Sequence, residues 1–161
     1  MITSGFLHAN NAHLLFNMIT LYFFGPTIEL VMGRIPFLLI YFGSAIAASI
    51  WPMFKYIDQP DYVAVGASGS ISGVLFAHCL FFPLNKLYLM FIPIGIPAVI
   101  FALLFAGFSY YAASRPSDHS TFFGRIAHEA HLGGALGGLA ITVMLEPSVL
   151  GMFFKQILGV F

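Results

Sequence analysis

The stretch GASGSISG (66–73) sets three serines and three glycines in front of the apolar run Val74-Leu75-Phe76. Small polar residues in such density are ordinarily a surface turn. Here no Asp, Glu, Lys or Arg stands between Asp61 and Lys86. The small residues therefore open an apolar helix, and hydroxyls with no bulk at its start need a reason.

The rest of the chain says what kind of helix it is. Of 161 residues, 60% are hydrophobic and 7% charged, with a mean hydropathy of +0.94. Soluble domains carry about 25% charged residues, so this chain has too few to cover a water-facing surface. It reads as an all-α, polytopic transmembrane bundle forming a single domain over residues 1–161, with the lipid bilayer as its surroundings. Six basic and six acidic residues cancel, which argues against a nucleic-acid partner. Cys79 is the single cysteine, so no internal disulfide and no cysteine-based zinc site is expected.

A spanning helix needs about 20 mostly apolar residues. On that rule five spans are expected: His13 to Met32, closed by Gly33; Pro36 to about Phe54; one from the serine-glycine stretch to just before Pro83; Pro97 to Ser114; and Ile126 to Leu145. KLYLMFIPIGI (86–96) alternates and holds a proline, and reads as an apolar interfacial connection. The segment 147–161 is too short to span and reads as an interfacial tail. Charge does not fix the orientation, because Arg34, Lys86 and Lys155 fall on one side and Lys55, Arg115 and Arg125 on the other.

Polar groups in hydrocarbon are costly, so those that persist are candidates for function. They cluster in HANNAHLLFN (8–17), at Ser68, Ser70 and Ser72, and in AHEAHLGGALGG (127–138). Each cluster opens an odd-numbered helix, and alternate helices start on the same side, so all three share one depth. Gly69 and Gly73 form one small-xxx-small pair, and Gly134 and Gly138 another. At about 100° per residue, His131 lies on the stripe of Gly134 and Gly138. Helices meeting through these glycines would bring His131 to the start of the third helix.

A serine beside a histidine is the minimal apparatus of nucleophilic acyl transfer, the imidazole taking the hydroxyl proton and returning it to the leaving amine. Glu129 is the nearest carboxylate in sequence, but two helical residues set it about 200° from His131, so a dyad is expected. His13 and Asn17, four apart on one helix face, and the free N–H groups of the third helix are candidate oxyanion donors.

HANNAHLLFN, GASG and AHLGGALGG, in this order on successive odd helices, resemble the rhomboid family of intramembrane serine proteases. GPTIELVMG (25–33) resembles the family's ExxxG helix ending. The likeness runs from about Thr3 to Leu145 and implies Ser68 as nucleophile, His131 as general base, and His13 and Asn17 at the oxyanion hole. It also implies His8 bordering the site, with Gly66, Gly69, Gly134 and Gly138 in support. Transmembrane proteins are the implied substrates, cut in a hydrated cavity open to the extracytoplasmic side, and the plasma (inner) membrane is the expected address. No cofactor or metal is expected. In several family members an aromatic residue four positions after the nucleophile stacks on the imidazole. Here that position is Ser72, so the resemblance implies that the stack is lost. The family core has six helices, and a further span before Met1 is expected, without which the chain should be less stable and less active.

Other readings stay open on the residues alone. Ser70 points away from Ser68, and Ser72 lies one turn deeper, where a hydroxyl usually bonds a carbonyl of its own helix. His128 shares roughly the face of His131. The histidines could be metal ligands, although HEAH (128–131) is one residue short of the zinc-protease HExxH. A relative that binds membrane segments without cutting them is the third alternative.

Overall fold

The computed structural model describes residues 11–55, 57–58, 67–88, 94–114 and 128–159. His8, Gly66, Arg115, His119 and Arg125 lie outside the described residues. Among the described residues there are six helices, α1 (Asn11–Met32), α2 (Arg34–Lys55), α3 (Ser68–Phe81), α4 (Ala98–Ala113), α5 (His128–Leu145) and α6 (Ser148–Leu158). Two strands, β1 (Lys86–Tyr88) and β2 (Gly95–Pro97), complete them.

Helix ends follow local chemistry. Gly33 has φ 91°, a left-handed conformation that costs a glycine nothing. Its N–H bonds the Glu29 carbonyl at 2.8 Å, and its own carbonyl accepts from Phe37 N–H at 3.1 Å. One residue thus ends α1 and begins α2.

The helical expectation holds, with one short strand pair between α3 and α4. The strands β1 and β2 pair antiparallel, Lys86 with Pro97, Leu87 with Ile96 and Tyr88 with Gly95. Each short strand meets backbone hydrogen-bonding needs by pairing with the other. Pro97, which has no N–H to donate, ends its strand and leads directly into α4.

Two helices, α1 from His13 and α2, are long and apolar enough to cross a membrane; α5 with α6 makes a third if their 108° bend is counted within one span. The α3 and α4 helices are apolar but have only 14 and 16 residues. At 1.5 Å per residue α3 is about 21 Å long, short of the ~30 Å hydrocarbon core. It can be short because protein surrounds it: every residue from Gly69 to Phe81 is buried. Outward faces elsewhere are apolar and exposed, as at Tyr22, Leu30, Ile46, Leu103 and Met144, which is what a lipid-facing surface requires.

Small residues let α2, α3 and α5 close on one another around that buried helix. A Cβ on Gly134 would stand 2.0 Å from the Gly69 carbonyl oxygen, and one on Gly138 would stand 2.3 Å from Gly73 Cα. The next residues round α5 serve α2: a Cβ on Gly133 would lie 2.7 Å from Ala47 O, and one on Gly137 2.4 Å from Ala47 Cβ. The third side closes where Gly73 faces Ser44, with 1.9 Å between a hypothetical Cβ and Ser44 Oγ. The tandem glycines of α5 are thus two stripes, one per neighbour. Bulkier packing holds the lower half, where Ile28, Ile40, Val74 and Ala77 join α1, α2 and α3. From α6, Gln156 donates through Nε2 to the Phe81 carbonyl at 3.0 Å, satisfying one of the orphan carbonyls that end α3.

Candidate active site

The polar openings of the odd helices converge on one cavity. It has a volume of about 520 Å³, and its lining includes Asn17 of α1, Ser68 and Ser72 of α3, and His131 of α5. Most of its remaining wall is apolar, with Phe16, Ile19 and Phe23 from α1 facing Phe101 and Phe105 from α4. Both α1 and α4 pack on α3 without any substantial contact between them. The cavity occupies the gap they leave. Its far end is polar again, at His78, Asn85 and Lys86.

Ser68 is the first residue of α3. The first α-type bond of that helix runs from Ile71 N–H to the Ala67 carbonyl at 2.9 Å, so the N–H groups of Ser68 and Gly69 have no intrahelical partner. The three serines divide by helix geometry. Ser70 is buried and does not line the cavity. Ser72 donates its hydroxyl to the Ser68 carbonyl at 2.8 Å. Ser68 alone of the three opens the helix with its side chain on the cavity wall.

His131 lines the cavity and His128 does not. Their rings meet edge to face at 6.1 Å, and Phe108 meets His128 in the same way at 5.4 Å. The Nε2 of His131 is buried with no hydrogen-bond partner among the described residues, so its bond to Ser68 is not formed here. Hydrogen bonds of this kind are often long or absent before substrate binds. Phe105 stacks on His131 with ring centroids 5.6 Å apart and planes 27° apart. Ser72 offers no ring, and the ring that lies on His131 comes from α4 instead. No spacing rule within α3 could have found it, because its partner lies on another helix.

Asn17 is 6% exposed, and its Nδ2 has no hydrogen-bond partner among the described residues. A buried donor without an acceptor is rare and costly, and calls for a reason. His13 does not line the cavity. Glu129 turns away, as its helical offset from His131 requires: it is buried and ion-paired with Lys55 of α2. Lys55 also donates to the Ala113 carbonyl, at the end of α4, at 2.8 Å. No group of three His, Cys, Asp or Glu side chains placed to hold a metal ion occurs among the described residues.

A bundle of apolar helices with a serine, a histidine and an amide on one internal cavity is a defined class of membrane protein, and sequence comparison gives the class its family. The family model described as Rhomboid domain matches residues 1–148. The chain belongs to the rhomboid family. YdcA of Bacillus subtilis (strain 168), provisionally named a rhomboid protease, is 46% identical over 87 residues, covering 53% of this chain and 42% of its own. Rhomboid protease GluP of the same organism is 30% identical over 159 residues, 99% of this chain and 28% of its own. Rhomboid protein 1, mitochondrial, of Saccharomyces cerevisiae is 30% identical over 152 residues, 92% of this chain and 42% of its own. The chain thus spans less than half the length of these curated relatives. No solved structure matches it.

Proposed function

We propose that this chain is an intramembrane serine endopeptidase that cleaves transmembrane proteins with a Ser68–His131 dyad. The observation that carries the reading is the meeting of Ser68, His131 and the unpartnered Asn17 amide on one cavity inside an apolar bundle. Ser68 Oγ attacks the scissile carbonyl while His131 Nε2 takes its proton. The oxyanion so formed accepts hydrogen bonds from Asn17 Nδ2 and from the first N–H groups of α3. Collapse breaks the C–N bond, and His131 returns the proton to the leaving amine. Water, deprotonated by the same imidazole, then releases the acyl group from Ser68. No residue is needed from Glu129, which Lys55 holds on the other side of α5.

The gap between α1 and α4 supports a membrane-embedded substrate. It gives a chain segment an apolar route to Ser68 between Phe16 and Phe23 on one side and Phe101 on the other. In this reading α1 to α5 all cross the membrane, the short α3 doing so inside protein rather than in lipid. The tail helix α6 leaves α5 at 108° and lies along the interface with Val149 buried, within the same single domain. The plasma (inner) membrane is the proposed address. The mitochondrial name of the yeast relative points to the alternative, which cell fractionation decides.

A fluorophosphonate probe tests the assignment. The detergent-purified protein should label, and Ser68→Ala and His131→Ala should not. Ser68→Ala should also abolish cleavage of a transmembrane reporter, and EDTA should leave it unchanged. A folded wild-type protein that neither labels nor cleaves would be a relative that binds membrane segments without cutting them.

A further inference from the structure

We infer that Phe105 is a positioning residue for His131, holding the imidazole from α4. The inference rests on the protease reading above. Little else on the described residues fixes the ring. No carboxylate holds it, since Glu129 is paired with Lys55, and Nε2 has no hydrogen-bond partner. The residue one turn after Ser68 is Ser72, whose hydroxyl is committed to the Ser68 carbonyl. His128 meets His131 only edge to face. Among the described residues, Phe105 alone lies near-parallel to it, at 27° between planes and 5.6 Å between ring centroids.

Phe105 is itself held. Phe76 of α3 meets it edge to face at 5.9 Å, and Phe101, one turn back on α4, stacks on it at 6.1 Å. The chain Phe101–Phe105–His131 runs along the α4 wall of the cavity, with Phe76 bracing it against the helix that carries Ser68. The orientation of the base is thereby tied to where α4 stands, on one side of the gap through which substrate is proposed to enter. A proton acceptor a fraction of an ångström out of line loses rate while substrate still binds.

The test separates turnover from binding. Phe105→Leu keeps apolar bulk and removes the aromatic face; its kcat on a transmembrane reporter should fall about tenfold, the upper range of aromatic-pair energies, with KM within about twofold of wild type. Phe105→Tyr, which restores the face, should recover kcat. Phe108→Leu, which removes a ring from His128 instead, should leave kcat unchanged. In the Ser68→Ala protein, Phe105→Leu should also abolish the ring-current shift of the His131 side-chain protons, a readout that needs no activity. The inference is overturned by wild-type kcat in Phe105→Leu, by a loss carried in KM, by failure of Phe105→Tyr to recover, or by an unchanged His131 shift. A wild-type protein that neither labels nor cleaves, yet shows the His131 shift, overturns the protease reading and with it the catalytic meaning of the stack.

Discussion

The Gly69 carbonyl oxygen stands 2.0 Å from the point that a Cβ on Gly134 would occupy. Backbone meets backbone there, so neither side can turn a rotamer to make room. The same contact sets the separation of α3 from α5, and so of Ser68 from His131. Gly134→Ala should cost about 3 kcal/mol or more, at the top of the range for overpacking, and lower reporter cleavage at temperatures where the protein is still folded. Gly107→Ala is the control: it too is a mid-helix glycine, but nothing lies within 4 Å of its Cβ position. That change should be neutral or stabilise by up to about 1 kcal/mol. Unfolding in detergent, followed by circular dichroism, measures both.

Ser70 and Ser68 are two residues apart on α3 and face different neighbours. Ser70→Ala removes a buried hydroxyl that lies off the cavity and should cost about 1 kcal/mol of stability, while reporter cleavage and probe labelling stay at wild-type levels. Ser68→Ala should do the reverse, abolishing both with little change in unfolding temperature. Loss of labelling in Ser70→Ala with labelling retained in Ser68→Ala would exchange their roles.

Parity and periodicity explain why so much of this site was legible in the sequence. Alternation of helix direction put the openings of α1, α3 and α5 at one depth, and the four-residue spacing of Gly69–Gly73 and Gly134–Gly138 showed which faces close. The illegible parts all depend on a third helix. Ser44 and Ala48 on α2 have the same small-xxx-small spacing, yet an α2 contact is visible only once the tandem glycines of α5 are seen to serve two neighbours. Phe105 is one phenylalanine of 19, and nothing in α4's own pattern singles it out to face His131. The pairing of β1 with β2 shows in the sequence only as alternation, because two strands of three residues each have no periodic signal beyond that.

In the proposed mechanism Asn17 is one oxyanion donor among several, so its loss should be partial. An oxyanion donor removed by mutation typically costs about 10²–10³ in kcat. The N–H groups at the start of α3 remain in Asn17→Ala, so turnover should fall about a hundredfold while fluorophosphonate still labels Ser68. Asn17 Nδ2 is buried without a partner among the described residues, so removing it should not destabilise the fold, and the unfolding temperature should hold or rise. Unchanged turnover with a lowered unfolding temperature would make Asn17 a packing amide.

Lys55 joins three helices at the depth of the site: it belongs to α2, pairs with buried Glu129 at the start of α5, and donates to the Ala113 carbonyl that ends α4. A cation suits that carbonyl end, where the helix dipole is negative. Lys55→Met would remove the cation paired with the buried Glu129 carboxylate and should cost about 3 kcal/mol. Adding Glu129→Leu removes the buried charge as well, so the double variant should regain much of that stability. It should not regain full turnover, because the end of α4 remains untied, and α4 carries the Phe105 ring that lies on His131. Unfolding temperature and kcat are therefore expected to part company in the double variant, the first recovering and the second staying low. Recovery of both together would mean that Lys55 serves only to neutralise Glu129 and that the position of α4 is set without it.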